Sequence, residues 1–435
     1  MDSNEIILVV DAVFYLATLV YWHRRKGWRN VGVFVWLIMT ISHVGAIFYY
    51  RILSMFGDVI EINAMSLAYL YVSILISLYP YLKNDGIKKL EIGANERLIK
   101  LLSWFVIIMS IEPLLENIYI LFHSSNVDYG EIYEDRFNGE MRIYSFIGEK
   151  LNRWVGHFRF FITVSFFYFC TQRGNRRLKL GLGLVLINFL IAGVNKSSRG
   201  DIVCMLFLYT CCILLMYSLF EKEILRKIRK TALALLIPSI AYFMVITTAR
   251  FDYSQSSGNK TLMGWLLLYC SEGPNKFSNE MWEGEHNTNG DVNLCFLKDM
   301  IGLKTYTTYH ERDEHYLAKN GRRVEVFYTF VGDFVSDFGI WGGFIVTIGL
   351  SLLSLFLYKR DKAMSFSHFI PLLILINLYS IGFASNVFRA YGLQKCAFIN
   401  LLIAVLLSVN QACKSIYSNN KTKRMYYDIG SNDDL

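Results

Sequence analysis

The sequence predicts an all-α polytopic integral membrane protein with about eleven transmembrane helices and one large external loop. Of its 435 residues, 54% are hydrophobic and only 18% are charged, whereas a soluble domain has about 25% charged residues. Apolar runs of about 17 to 20 residues recur along the chain, and each is long enough to cross a bilayer. A transmembrane β-barrel would instead show alternating segments of about ten residues.

The predicted spans follow the apolar runs. They cover residues 5–22, 31–50, 64–82, 98–122, 154–170, 178–194, 201–220, 231–248, 338–357, 368–384 and 391–409. The first run follows the acidic start MDSNE, whereas a cleaved signal peptide begins with basic residues, so we interpret this run as a span. The predicted organisation is eight helices in residues 1–248, a large loop at 249–337, three helices in 338–410 and a tail at 411–435.

Lysine and arginine indicate the orientation of the spans. The formal net charge is +8, and the positive charges collect in short loops between alternate spans, as in HRRKGWRN, QRGNRRLK and EKEILRKIRK. This distribution is typical of cytoplasmic loops and argues against a nucleic acid partner. It predicts an external N-terminus, a cytoplasmic C-terminus and an external loop at 249–337. In that loop, TLMGWLLLYC and VFYTFVGDFV are too short to span, so they predict interfacial or re-entrant helices.

Four arginines lie at external ends of the predicted spans, against this charge distribution. The stretch NKSSRGD places Arg199 at the start of one span, Arg159 lies in the first turns of another, and Arg389 precedes a third. Arg250 follows the end of the eighth span. A helix start exposes free N–H groups and a partial positive charge, so an arginine there favours an anion that shares the site. These residues predict a site for a large anion at the external membrane face, and a lipid-linked pyrophosphate fits that description.

Each arginine also has a structural interpretation. Arg250 would be favoured at a helix C-terminus by the helix dipole alone. Arg159 could pair with Glu112 or Glu116 in the fourth span, because a charge inside the bundle needs a partner. A serine of NKSSRGD could simply cap the helix that follows.

The large loop offers candidate acid–base residues. The stretch TTYHERDEHYLAKNGRR places two histidines beside carboxylates and contains His310, Glu311, Asp313, Glu314 and His315. Histidine serves as a general base near neutral pH. His310 is the preferred base, because the apolar and aromatic residues before it could bury it, whereas His315 has a more charged context. The alternative interpretation is a solvated, charged loop.

Four further residues of this loop carry candidate chemistry. Asp333 and Asp337, near the start of the ninth span, are carboxylate alternatives for the base, although helix capping competes for them. Cys270 and Cys295 could pair in an oxidising compartment. No cysteine or histidine pattern has zinc spacing, so no metal site is predicted.

Several short motifs resemble the bacterial oligosaccharide repeat-unit polymerases of the Wzy type. The chain has SRG at residues 198–200, at an external helix start, and an external arginine, Arg250, after the next span. A long external loop then contains YCSEGP at 269–274 and closes into DFGIWG at 337–342. The resemblance covers most of the chain in topology.

The resemblance implies a membrane-embedded glycosyltransferase of the GT-C type in the bacterial inner (cytoplasmic) membrane. Such an enzyme joins undecaprenyl-pyrophosphate-linked oligosaccharides at the periplasmic face into O-antigen, capsule or exopolysaccharide. It needs no nucleotide sugar, metal or other cofactor, and a chain-length regulator is a candidate partner. The expected pyrophosphate-binding residues are Arg199, Arg250, Arg389 and Arg159, and the expected catalytic residues are His310, Glu311, His315 and Asp337.

Three other functions are compatible with the sequence. An O-antigen ligase would share the architecture and differ in its acceptor, the lipid A core instead of another repeat unit. A flippase or transporter of lipid-linked oligosaccharides would place its arginines in a central cavity, often with an internal repeat, and neither feature is visible. A membrane acyltransferase would carry a catalytic histidine within a span. His43 and His157 are its candidates, and His43 has no acidic residue near it in its own segment.

Overall fold

The computed structural model describes residues 2–55, 61–123, 144–196, 198–232, 234, 241, 262–283, 288–306, 309–321, 326–358 and 363–430. The first helices are α1 Ser3–Lys26, α2 Val31–Met55, α3 Ala64–Lys83, α4 Glu96–Met109, α5 Ile111–His123, α6 Phe146–Gly156, α7 Arg159–Thr171 and α8 Arg176–Asn195. They continue with α9 Arg199–Leu215, α10 Leu262–Lys276, α11 Cys295–Met300, α12 Tyr309–Asn320, α13 Thr329–Leu357, α14 Phe366–Ser380 and α15 Tyr391–Gly430.

Shorter elements complete the described part of the chain. Residues 222–232 are also helical. The 3₁₀ helices are Gly93–Asn95, Tyr217–Leu219 and Val387–Arg389, and a π-helical segment follows α10 at Phe277–Met281. The strands are β1 Leu90–Glu91 and β2 Met364–Ser365, which pair in parallel.

Seven helices among the described residues are long and apolar enough to cross a membrane. They are α1, α2, α3, the α4–α5 pair, α8, α13 and α15, whereas α7 and α14 are shorter apolar helices. This agrees with the predicted class, a helical membrane protein, but it does not reach the predicted number of eleven spans. The predicted span at 231–248 lies largely outside the described residues.

Capping residues explain where the first helix begins and ends. The Asp2 side chain caps α1 by accepting a hydrogen bond of 2.7 Å from the amide of Glu5. The last turn carries four basic residues, which suit the negative end of the helix dipole. Gly27, with φ at 71°, then ends the helix in a conformation that other residues rarely adopt.

Most of the basic loops meet at one end of the bundle. The Asn30 side chain, after α1, donates to the carbonyl of Asn84, after α3, over 2.8 Å. The amide of Ile87 donates to the carbonyl of Leu215 at the end of α9, also over 2.8 Å. Strands β1 and β2 join the loop after α3 to the loop before α14. These four loops therefore share one end, which we call the basic-loop end, as the charge distribution predicts.

The centre of the bundle is α14. All of its side chains are buried except those of His368 and Pro371. It packs against α9, α13 and α15, with further contacts to α7 and α2. A helix that is apolar all round is expected to be surrounded by protein or lipid, and this one is surrounded by protein.

Helix α13 begins within the predicted loop and is broken at Gly339. Its backbone there has φ 71° and ψ 176°, a region essentially reserved for glycine. The break coincides with the predicted start of the ninth span at residue 338. The first half of α13 is instead tied to the chain that follows α14, since the amide of Thr329 donates to the carbonyl of Ala384 over 2.9 Å.

Replacing Gly339 by alanine is expected to destabilise the protein by about 1–3 kcal/mol, because the Cβ atom disfavours this backbone conformation. Gly349 in the same helix is the matched control, since a Cβ atom at either position has no neighbour within 4 Å. Gly349→Ala should be neutral or stabilising by up to about 1 kcal/mol. Unfolding of both purified variants in mixed micelles measures the difference, and equal stabilities would contradict a strained break at Gly339.

Candidate functional site

Arg199 begins α9 and is almost completely buried, with 7% of its surface exposed. The helix starts two residues before the predicted span, and its cap is the Ser198 hydroxyl, which accepts from the amide of Asp201 over 3.3 Å. The Arg199 guanidinium donates to the Tyr269 hydroxyl over 2.7 Å and lies 4.6 Å from the centre of that ring. The serine therefore caps the helix, while the arginine is held beside α10.

Two aromatic rings connect Arg199 to Arg389. The rings of Tyr269 and Phe327 have centres 5.9 Å apart, and the Arg389 guanidinium carbon lies 5.9 Å from the centre of the Phe327 ring. The amide of Phe327 donates to the buried carboxylate of Glu272, one turn beyond Tyr269, over 3.3 Å. We call Arg199, Tyr269, Phe327 and Arg389 the arginine–aromatic row. It brings together two of the four arginines that the sequence assigns to an anion.

Helix α12 connects the row to a histidine–carboxylate pair. Arg312 donates from Nη1 to the carbonyl of Arg389 over 3.1 Å. His315 lies three residues further on, on the same face of the helix. Its Nε2 atom is 2.8 Å from Oδ2 of Asp291, and its ring stacks on Tyr306 with centres 3.8 Å apart. Because an ionised carboxylate only accepts, Nε2 carries the proton, and Nδ1 of the neutral ring is the basic atom.

The charge of Asp291 depends on its neighbours. Burial alone would raise its pKa, but the Lys298 ammonium and His315, both hydrogen-bonded to it, hold the pKa of this carboxyl below its usual range. Lys319 lies 3.6 Å away from the same carboxylate. Asp291 therefore remains ionised at neutral pH and can orient the imidazole of His315.

Asp337 organises the loop that carries Asp291. Its carboxylate accepts hydrogen bonds from the Thr288 hydroxyl, the amide of Val292 (3.1 Å), and both the amide (2.7 Å) and the side chain (2.6 Å) of Asn293. It is 1% exposed. Its partners belong to the loop before α11 and not to a helix start, so Asp337 is not the helix cap that the sequence allowed. A carboxylate with its acceptor positions filled in this way suits a role in holding that loop better than that of a general base.

Asp333, one turn earlier in α13, positions the chain before α15. Its Oδ2 atom accepts from the amide of Asn386 over 2.6 Å, and Asn386 caps the short helix that ends at Arg389. The Asn386 side chain also donates to that of Asn293. The two aspartates thus hold both the loop of Asp291 and the segment of Arg389.

The burial of the two histidines of α12 is the opposite of what the sequence predicts. His310, expected to be buried, is exposed, and so is its neighbour Glu311. His315 is the one that is packed, with 16% of its side chain exposed. The expected burial of His310 was wrong, because the α12 face that contacts the Asp291 loop carries His315.

The row as defined does not include Arg159. Arg159 begins α7 and donates to the carbonyl of Gly156 over 3.2 Å. Within the described part of the chain it pairs with neither Glu112 nor Glu116, and Glu116 instead accepts from the amide of Ser145. Arg250 lies outside the described residues.

Cys270 and Cys295, which the sequence allowed to form a disulfide bond, are not bonded to each other. Cys270 is exposed on α10, Cys295 is buried at the start of α11, and both are free thiols.

Sequence reasoning missed Asp291, Arg312 and Phe327. Asp291 lies 24 positions before His315, and no periodic spacing relates a loop residue to a residue of a later helix. Phe327 falls within the apolar piece VFYTFVGDFV, where an aromatic residue gives no signal beyond hydropathy. Arg312 lies in the charged stretch that supplied the acid–base candidates. The carboxylates and histidines beside it were chosen as those candidates, and Arg312 was not.

Comparisons of the chain with protein-family models, with curated proteins and with solved structures found no match.

The contribution of Asp291 is expected to depend on pH. Its folded-state pKa lies below the unfolded value of about 3.9, so its ionic contacts stabilise the protein above that pH and are lost as the pH falls through the lower folded value. Asp291→Asn should therefore cost about 1–3 kcal/mol at neutral pH, and this deficit should shrink only below about pH 4.

Unfolding of the wild type and of Asp291→Asn in mixed micelles across acid pH measures this deficit. Glu314→Gln, an exposed change on α12, serves as the control. If the difference in unfolding free energy between the wild type and Asp291→Asn stays constant in strong acid, the contribution of Asp291 comes from its packing and not from its charge.

Proposed function

We propose that this chain is a membrane-embedded glycosyltransferase, of the GT-C type, that joins undecaprenyl-pyrophosphate-linked oligosaccharide repeat units into a polysaccharide. The proposed setting is the periplasmic face of a bacterial inner membrane, and the product is O-antigen, capsule or exopolysaccharide. The observation that carries the proposal is the arginine–aromatic row, in which Arg199 and Arg389 flank two aromatic rings next to a histidine–carboxylate pair.

The row suits a lipid-linked pyrophosphate and its sugar. Guanidinium groups bind the oxygens of phosphates in fixed geometry, and Arg199 adds its charge to the free N–H groups at the start of α9. An anion bound at this position would be stabilised by both the guanidinium and the positive end of the helix dipole. The faces of Tyr269 and Phe327 lie between the two cations, and aromatic faces can also pack against sugar rings.

In the proposed reaction, a sugar hydroxyl of the acceptor attacks the anomeric carbon of the donor. The new carbon–oxygen bond forms as the bond from that carbon to the pyrophosphate breaks, and the bonding electron pair leaves with the pyrophosphate. The hydroxyl proton passes to Nδ1 of His315, whose other nitrogen is held by Asp291. Arg199 and Arg389 stabilise the negative charge that develops on the leaving group.

Arg199→Ala is expected to reduce polymer formation on the order of 100- to 1,000-fold, because one preorganised cation at the leaving group is lost. An electrophoretic ladder of the surface glycan, together with the abundance of the protein in membranes, measures the effect. Arg153→Ala is the matched control, since Arg153 is 70% exposed and already paired with Glu149. A full ladder in Arg199→Ala would exclude Arg199 from the reaction.

His315→Gln and His310→Gln separate the two histidines of α12. The first change removes the base and should slow polymer formation on the order of 100- to 10,000-fold. The second changes an exposed side chain and should leave the ladder close to that of the wild type. The opposite result would move the general base to His310, and two unaffected ladders would remove histidine from the mechanism.

Deletion of the gene in its host separates the proposed polymerase from the other functions. A polymerase mutant should lose long chains and still display a single repeat unit. Lipid-linked polymer that accumulates without attachment would instead identify a ligase. An unchanged ladder would contradict the proposal as a whole.

A further inference from the structure

A second histidine–carboxylate pair lies inside the bundle, away from the arginine–aromatic row. His43 of α2 and Asp11 of α1 are joined by a contact of 2.5 Å between Nδ1 and Oδ2. His43 is 1% exposed and Asp11 is 7% exposed. The sequence expectation that His43 has no acidic residue nearby holds only for its own segment, because the partner belongs to the neighbouring helix.

Aromatic side chains enclose the pair. The Tyr15 ring stacks on the His43 ring with centres 3.7 Å apart, and Trp36 stacks on Tyr15 with centres 5.3 Å apart. The Tyr71 ring of α3 packs its edge against Tyr15. The Tyr15 hydroxyl is buried here and has no hydrogen-bond partner among the described residues. This enclosure argues against the acyltransferase role that the sequence allowed for His43.

The charge of the pair constrains what it can bind. A neutral imidazole beside an ionised carboxylate carries a net negative charge. One additional proton, shared between them, makes the pair neutral. Losing that proton leaves a net negative charge inside the bundle, where an uncompensated charge is costly. Ionisable residues at such a depth are rare and usually mark a functional pathway. A proton is also the one ligand that needs no cavity.

We propose that His43 and Asp11 form a proton-binding site within the bundle, in exchange with the aqueous phase at the end where α1 begins. Polar groups gather at that end. The Tyr50 hydroxyl donates to Asp2 over 2.8 Å, and Arg51 pairs with Glu5. Asp11 lies six residues beyond Glu5, which is about 9 Å along a helix.

The other titratable groups on the elements around the pair are few. The hydroxyls of Tyr15 and Tyr71 lie closest in the ring cluster. Helix α10 also packs on α2, where Ser271 contacts Gly45, and it carries Cys270 and Glu272 on either side of that serine. Helix α9 reaches α2 through Phe207 and Phe34, nine residues or about 13 Å along the helix from His43. Helix α14, a minor contact of α2, carries His368 and Tyr379.

Solid-state NMR of the full chain in lipid bilayers, with nitrogen-15 in histidine, tests the site directly. The nitrogen shifts report the protonation of each ring. The His43 signal is assigned by its loss in His43→Gln and by its contact with the Tyr15 ring. We expect the ring hydrogen of His43 to exchange with deuterated buffer, because the proposed site communicates with the aqueous phase, and Asp11→Asn to change the rate of that exchange. His123→Gln, at an exposed helix end, should leave that rate unchanged.

A His43 ring hydrogen that does not exchange with deuterated buffer would overturn the proposal and leave a structural polar pair. An exchange rate that Asp11→Asn leaves unaltered would remove Asp11 from the site. If a variant does not fold, the contact to Tyr15 still assigns His43 in the wild type, so that the wild-type exchange measurement decides. None of these results depends on glycosyl transfer, because no substrate is present.

Discussion

The buried carboxylate of Asp337 is the constraint on which the candidate site depends. It gathers hydrogen bonds from three residues of the loop before α11, and this fixes the position of Asp291. Asp291 in turn holds His315 on α12. One turn earlier in α13, Asp333 fixes the segment that carries Arg389. The first half of α13 therefore supports two chain segments that are distant in sequence, and it ends at the break in the helix at Gly339.

The arginine–aromatic row solves an electrostatic problem at the start of α9. A guanidinium beside free amides at a helix start is repelled by the helix dipole, and burial removes the water that would relieve it. The Tyr269 ring offers partial relief through its negative face. The proposed function places the leaving pyrophosphate beside this guanidinium and the start of α9, where both would stabilise an anion.

Hydropathy predicted the helices because a bilayer sets both their length and their composition. The site was predicted in part. Arg199 and Arg389 were selected because basic residues at external helix starts contradict the charge distribution, and the structure brings them together. The role of Asp291 was not predicted, because its hydrogen bond to His315 is a tertiary contact and no periodic spacing in the sequence relates the two residues. The burial of His310 and His315 was predicted the wrong way round for a related reason. It depends on which face of α12 meets the loop, and a charged stretch does not reveal that face.

Reconstitution of the purified protein in liposomes, supplied with only a lipid-pyrophosphate-linked oligosaccharide, tests the central claim most directly. The account predicts lipids that carry two or more repeat units, with release of one lipid pyrophosphate for each bond formed. Oligosaccharide that crosses the bilayer without elongation, or that is transferred only when a lipid A core acceptor is added, would contradict it.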